Sequence, residues 1–485
     1  VKTAVLKISD QVNCKFEGLE PEVRRKISDA CKYFVPYARH MPAFKLGRWD
    51  GKIAFATIGG STFINMLDRV LPLVIEAGYD VTIDDRRPAY EFSFPAITED
   101  MLADKVWPEG HPIAGQSIML RDYQVAAIST YLDNLQSIQS ISTGAGKTLL
   151  TATLSSLIEP YGRSIVIVPN KSLVEQTEED YLNLGLDVGV FYGDRKEWGK
   201  THTICTWQSL GAFSKKTKAG EVDIPISDFL DGVICVMVDE VHSAKADVLK
   251  DLLTGPMAHI PIRWGLTGTV PKEDFEYMSL AVSLGPVVGE IKASDLQEQG
   301  VLSMCHVDVM QLQDEGEFST YPDEYEFLTS DKRRLDFIAA QCKEIAKTGN
   351  TLILVDRIEC GEYLRDAIGD DAVFVSGKVK TKDRRKEYKE VQTSEGKIII
   401  ATYGVAAVGI NIPRIFNLVL IEAGKSFVRV IQSIGRGIRK AEDKDFVQIY
   451  DVTSSLKFSA RHLTKRKGFY KDANYPFKVT KVNYR

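Results

Sequence analysis

Ser142-Thr143-Gly144-Ala145-Gly146-Lys147-Thr148, set between Ser140-Ile141 and the apolar run Leu149-Leu150-Thr151-Ala152, decides how the chain is read. Glycines at 144 and 146 let the backbone turn tightly enough for several N–H groups, and the N-terminus of a following helix, to converge on phosphate. In such a cradle Lys147 reaches the β- and γ-phosphates of a nucleotide and Thr148 ligates Mg2+. The strict G-x-x-x-x-G-K-T spacing is broken, because Ile141 holds its first position, but the two later glycines keep the turn. ATP and Mg2+ are therefore the expected cofactors.

Working outward, Asp239-Glu240-Val241-His242 directly follows the apolar run Val233–Val238. A carboxylate at the C-terminal end of a strand, here Asp239, holds Mg2+ through water, and Glu240 beside it orients or deprotonates the attacking water. Either acid alone reads equally as an acidic turn; the pair of strand-end motifs separates hydrolysis from passive phosphate binding. His242 has no neighbouring ligand set, and Mg2+ prefers oxygen, so it is read as a coupling residue. Upstream, Gln124 in Arg121-Asp122-Tyr123-Gln124 carries the donors and acceptor to read an adenine edge, with an ordinary helix surface as the equal alternative. Thr267 and Thr269 lack a neighbouring base that would make a nucleophile and are assigned to coupling.

Short apolar strands alternate with helical stretches from Leu120 to about Pro286, at 164–168, 203–206, 233–238 and 263–267. Near-continuous apolar strands are what a parallel sheet covered by helices on both faces requires. The pattern recurs at 351–355, 372–375, 397–401, 417–421 and 446–450. Residues 1–112 lack these motifs and read as a small α+β accessory module, with alternation at 4–8 and 79–83 and helices near 20–35 and 65–77. The expected organisation is an accessory DNA-binding domain (1–112), a first lobe with the ATP motifs (113–290), a connecting or decorating segment (291–328), a second lobe (329–455) and a basic C-terminal extension (456–485).

Composition constrains less. The 485 residues suit about three domains, and 44% hydrophobic with 26% charged residues is globular. A net charge of −5 and pI near 5.9 argue against a wholly basic nucleic-acid coat. From Lys457 to Arg485, however, nine Lys or Arg residues face a single acid, Asp472, which reads either as a phosphate-facing surface or as a solvated tail. Seven cysteines show no C-x-x-C pair and no zinc spacing. No apolar leader or run of 18 apolar residues is present, so no membrane partner and a cytoplasmic location are expected.

Gln432-Ser433-Ile434-Gly435-Arg436-Gly437-Ile438-Arg439 supplies two arginines three apart, on one side of a helix. Arg436 and Arg439 are assigned to a γ-phosphate that they meet when two lobes close, Arg439 as the finger and Gln432 as a nucleotide or facing-lobe contact.

The order of these motifs over residues 118–452 resembles the superfamily 2 helicases: STGAGKT as motif I, IVIVPNKSLVEQ (165–176) as Ia, TWQSL (206–210) as Ib, DEVH as II, TGT (267–269) as III, ATYGVAAVGIN (401–411) as V and QSIGRGIR as VI. The resemblance implies two tandem RecA-like parallel-sheet lobes in an α/β fold. It also makes Lys171, Thr206, Gln208, Thr402 and Gly404 strand contacts, which grip many sequences because they do not read base edges.

In the front module, Phe44-Lys45-Leu46-Gly47-Arg48-Trp49-Asp50-Gly51-Lys52 places Lys45, Arg48 and Lys52 for duplex backbone, with Trp49 packing a hairpin or stacking at a junction. A structured turn explains the same residues. GRWDGKI (47–53) ahead of the motor order resembles the UvsW-type branch-migration helicases of tailed phages, the T-five-like phages most nearly. That resemblance implies remodelling of stalled forks, Holliday junctions and recombination intermediates in an infected bacterium; the expected partners are branched or forked double-stranded DNA and single-stranded DNA, and a monomer is the expected state. An RNA helicase, a restriction-type translocase and a nonmotor nucleotide-dependent scaffold stay open as rivals.

Overall fold

The computed structural model describes residues 2–109, 114–142, 144–241, 246–272, 274–301, 304–375, 395–406, 415–424, 446–472 and 475–484. It forms two compact units: Val1–Asp104 with Met119–Ser140 and Lys147–Glu290, and Ile291–Arg485 with Lys105–Ile118 and Ile141–Gly146.

The first unit opens with the accessory module: β1 (Lys2–Ile8), β2 (Asn13–Glu17), α1 (Pro21–Ala30), β3 (Lys32–Phe34), α2 (Pro42–Lys45), β4 (Lys52–Ala54), β5 (Ser61–Phe63), α3 (Leu67–Glu76) and β6 (Tyr79–Asp85). A four-stranded sheet runs β5-β2-β1-β6, and β3 pairs with β4. Alternation along β1 buries Ala4, Leu6 and Ile8 on one face, as a half-solvated sheet requires.

The first RecA-like lobe follows: α4 (Asp122–Asp133), β7 (Gln136–Ile141), α5 (Lys147–Ile158), β8 (Arg163–Val168), α6 (Lys171–Asn183), β9 (Val188–Tyr192), β10 (Arg195–Lys196), β11 (His202–Thr206), α7 (Trp207–Ala219), α8 (Ile226–Phe229), β12 (Val233–Asp239), α9 (Ala246–Thr254), β13 (Ile262–Thr267), α10 (Asp274–Leu284) and β14 (Val287–Ile291). Its sheet runs β10-β9-β11-β8-β12-β13-β7-β14. β12 is buried at every residue, between parallel β8 and β13, which is why its sequence is a continuous apolar run.

The accessory module is built into this lobe. Phe275, Met278 and Val282 of α10 belong to the same apolar core as Leu6, Phe16, Phe55 and Val70. Tyr37 donates to Asp247 at 2.6 Å, Asn13 donates to the Thr254 carbonyl at 2.9 Å, and Lys250 sits 5.0 Å over the Phe55 ring. Both α9, which follows the Asp239-Glu240 motif, and α10, which follows Thr267–Thr269, are held by it.

The second unit contains α11 (Ala293–Glu298), β15 (Met304–Leu312), α12 (Tyr321–Ser330), α13 (Lys332–Ala346), β16 (Thr351–Val355), α14 (Ile358–Ile368), β17 (Ala372–Val375), β18 (Ile398–Thr402), α15 (Tyr403–Ala406), β19 (Asn417–Ile421), β20 (Phe446–Ser454), α16 (Lys457–Asp472) and β21 (Phe477–Val482). Its sheet runs β17-β18-β16-β19-β20-β15-β21. Setting aside the short β10, the two large sheets share one strand order: third, fourth, second, fifth, sixth, first, seventh.

Two segments differ from the sequence expectation. Within the stretch read as connecting or decorating, 291–328, β15 is an interior strand pairing in parallel with β20 and β21. Within the stretch read as a basic extension, 456–485, α16 packs on the sheet and β21 is its edge strand. Both strands carry polar residues because neither is enclosed on both faces: β15 alternates through exposed Met304 and His306, and β21 exposes Lys478 and Lys481. Lysines on an edge strand also discourage pairing with another chain.

Candidate nucleotide site and strand contacts

β7 ends at Ile141 and α5 begins at Lys147. Between them Gly144 and Gly146 take φ values of +96° and +85°, a conformation that costs glycine little and other residues more. Lys147 and Thr148 occupy the first two positions of α5, where helix N–H groups lack intrahelical acceptors.

Lys147 is the centre of the charge arrangement. Its ammonium makes an ion pair with Glu240 Oε1 and lies 3.8 Å from Asp239 Oδ1. The three side chains are 10%, 3% and 8% exposed, so their mutual attraction acts with little screening. Asp239 Oδ1 also accepts the Glu240 N–H at 2.9 Å. Glu240 has φ +53°, a left-handed conformation costing a non-glycine residue on the order of 1–3 kcal/mol. The fold thus holds this carboxylate in a strained turn off the end of a central strand.

The donor set suits a hard divalent cation. Thr148 offers a hydroxyl and Asp239 a carboxylate, both oxygen ligands, and Mg2+ is commonly held by one or two protein oxygens together with nucleotide phosphates. Among the described residues no group of three or more His, Cys, Asp and Glu side chains could hold a metal alone.

The remaining assigned residues are placed as follows. Gln124 is buried, and its Oε1 accepts the Arg121 N–H at 2.9 Å in a capping arrangement, so this acceptor is engaged in holding the start of α4. Thr267 Oγ donates to the Thr269 carbonyl at 2.6 Å and accepts the Thr269 N–H at 3.1 Å, making a tight turn after β13. The Thr269 hydroxyl is buried without a hydrogen-bond partner. His242, Gln432, Arg436 and Arg439 lie outside the described residues.

Among the strand contacts, Lys171 is exposed at the start of α6. Thr206 ends β11 and caps α7, accepting the Ser209 N–H, while Gln208 donates to the Pro169 carbonyl at 3.1 Å. Thr402 ends β18, the fourth strand of its sheet as β11 is of the first, so Thr206 and Thr402 are topological counterparts. Gly404 lies in α15. Lys45, Arg48 and Lys52 are exposed, whereas Trp49 donates its indole N–H to the Lys52 carbonyl at 2.8 Å and packs against the accessory core. Gly51 cannot carry a Cβ there, since one would stand 2.6 Å from the Phe34 ring; Trp49 and Gly51 therefore build the turn that displays the three cations.

Sequence reasoning passed over Glu422. It follows β19, the fifth strand of the second sheet as β12 is of the first, and has φ +43°. The signal was present in Asn417-Leu418-Val419-Leu420-Ile421-Glu422, an apolar strand ending in an acid. Glu422 accepts from Arg334 at 2.5 Å and from Ser459 at 2.6 Å, and its burial pushes its carboxyl above the usual range.

Residues 117–272 match the family described as the res subunit of type III restriction enzymes, and residues 334–441 match the helicase conserved C-terminal domain. The chain is a superfamily 2 helicase. It is related to the UvsW-type proteins, being similar to the ATP-dependent DNA helicase uvsW of Enterobacteria phage T4, with 24% identity over 452 residues covering 89% of this chain and 87% of that one. It is also similar to the factor IIH helicase/translocase subunit XPB of Encephalitozoon cuniculi, with 24% identity over 81% of this chain and 61% of that protein. Among solved structures, a fragment of a putative HsdR subunit of a type I restriction enzyme from Vibrio vulnificus shares the fold, with TM-score 0.55 and 17% identity over 75% of this chain and 69% of that one. These domains imply a nucleotide-hydrolysing enzyme that binds ATP, and no described helix of this helicase is long and apolar enough to cross a membrane.

Proposed function

We propose that this helicase couples ATP hydrolysis to translocation on DNA and remodels forks, Holliday junctions and other branched recombination or replication intermediates. The observation that carries the reading is the Lys147–Glu240–Asp239 cluster at the end of β12, in a lobe whose α9 and α10 are fastened to the accessory module. On nucleotide binding Lys147 exchanges its carboxylate partner for the β- and γ-phosphates, so that Glu240 can take a proton from the attacking water. Thr148 and Asp239 would hold Mg2+, which would neutralise phosphate charge there. Arg436 and Arg439 are the proposed γ-phosphate arginines, and Lys45, Arg48, Lys52, Lys171, Thr206, Gln208, Thr402 and Gly404 the proposed DNA contacts. The DNA assignment and a phage origin draw support from the T4 relative, whose name states an ATP-dependent DNA helicase; the branched substrate is proposed from the resemblance of residues 47–53.

The test is ATP turnover measured without nucleic acid and with single-stranded DNA, RNA, unbranched duplex, forked DNA and four-way junctions. Junctions and forks should stimulate most; stronger stimulation by RNA contradicts the assignment. The res-subunit match favours one rival, a restriction-type translocase, which would respond to unbranched duplex as strongly as to junctions.

A further inference from the structure

α10 and α16 are counterparts, each following the sixth strand of its sheet, β13 and β20. In the first unit α10 gives Phe275, Met278 and Val282 to the accessory core. Among the described residues, α16 shows no apolar equivalent on its outer face. Lys457, Arg461, Thr464, Lys465, Gly468 and Lys471 are all exposed, and their spacing of three or four residues, with Thr464 adjoining Lys465, keeps them on one side of the helix. No acid occurs between 457 and 471, in a chain that is net negative.

The opposite side of α16 is fixed firmly. Arg466 Nε donates to Asp451 at 2.8 Å, Tyr470 donates to the same carboxylate at 2.8 Å, and the Ser459 N–H donates to Glu324 at 2.8 Å. The cations therefore stand on a rigid support rather than on a loose tail.

Gly468 adds a separate observation. It interrupts a helix on its exposed side, where glycine is unfavourable, and a Cβ built there meets nothing within 4 Å. Packing among the described residues does not ask for glycine at 468; close approach of another molecule's backbone does.

We propose that this face of α16 docks the phosphate backbone of duplex DNA, at a place apart from the motif contacts; the inference rests on the DNA-motor reading above. Duplex is favoured over single strand because single strands are held on stacking aromatics, and the exposed set among the described residues contains none. The Phe458 ring is committed to Tyr321 at 6.3 Å and lies under Lys457 and Arg461.

The experiment compares the full chain with Lys457→Gln/Arg461→Gln/Lys465→Gln and with Gly468→Gln, measuring affinity for a blunt duplex and for a single strand across salt concentrations, melting temperature, and ATP turnover without DNA. Each lost phosphate contact should lower the duplex salt slope by about 0.9, so the triple variant should lose roughly two to three units with DNA-free turnover unchanged. Gly468→Gln should raise the melting temperature yet weaken duplex binding several-fold, opposite signs that a solvated helix face does not produce. An unchanged slope, or a stabilised Gly468→Gln with unaltered affinity, overturns the proposal; loss confined to the single strand overturns the duplex assignment. Wild-type protein that binds no DNA and whose turnover ignores DNA overturns the motor reading itself, and this inference with it.

Discussion

Glu240 and Glu422 stand at the end of the fifth strand in two sheets of the same strand order, and they are the two non-glycine residues with positive φ among those described. Their partners differ. Glu240 faces Lys147, one flexible ammonium at the start of a helix that also follows the glycine turn. Glu422 faces Arg334, whose guanidinium is fully buried and bound as well to Asp314 at 3.2 Å and to the Leu328 carbonyl at 2.7 Å. The repeated fold supplies a strained strand-end carboxylate twice; the partner decides its use. A lysine point charge can transfer from carboxylate to phosphate, whereas an arginine with its fork satisfied on several sides is a fixture.

The comparison breaks most visibly at Arg334. Arg334→Met should cost about 3–5 kcal/mol, because it leaves Glu422 and Asp314 buried without their cation. A chemical denaturation midpoint unchanged from wild type would show that the second carboxylate is not held structurally. At the first site, Lys147→Ala should lower ATP turnover about 10²–10³-fold, the cost of removing one positioned charge donor, with a smaller fall in the denaturation midpoint than Arg334→Met, since the cation it removes is 10% exposed where Arg334 is fully buried. A variant that unfolds but still hydrolyses would reverse the two roles.

The fourth strands offer a finer version. Thr206→Ala removes the cap of α7 and should cost about 1 kcal/mol of stability, whereas Thr402→Ala should cost less. Both should weaken single-stranded DNA binding if these counterparts grip the strand, and Thr206→Ser should restore both properties.

The smallest effect is a pH response confined to the first sheet, where β11 begins with His202 and β18 begins with Ile398. His202 is buried between Ser164 at 2.6 Å and Glu159 at 2.7 Å, and burial, opposed by Glu159, lowers its pKa. The folded form then prefers the neutral ring, so this contribution is present above the ordinary histidine value near 6.5 and is lost as pH falls through it toward the folded value. Melting measured from about pH 7.5 to about pH 5.5 should fall less steeply in His202→Gln than in wild type; parallel slopes would exclude the histidine.

Much of this was legible because enclosed parallel strands write themselves as apolar runs. β12, β16 and β19 are buried throughout, and β8 at every residue but Arg163; all were readable, as was the acid pair after β12. β15 and β21 were not, since a strand with a solvated face or edge mixes polar residues and loses contrast with a loop. Docking of the accessory module on α10 had a signal that went unused. Phe275, Met278, Leu280, Ala281, Val282 and Leu284 are buried around the whole helix, more than one sheet face can cover. The tie of Tyr37 to Asp247, 210 residues apart, had no local signature at all.

The most direct measurement is ATP binding and single-turnover hydrolysis by Glu240→Gln and Glu422→Gln in the same assay. The account predicts that Glu240→Gln binds ATP as wild type does but hydrolyses it about 10²–10⁴-fold more slowly, and that folded Glu422→Gln hydrolyses at close to the wild-type rate. Equal losses in the two variants, or normal hydrolysis by Glu240→Gln, would contradict it.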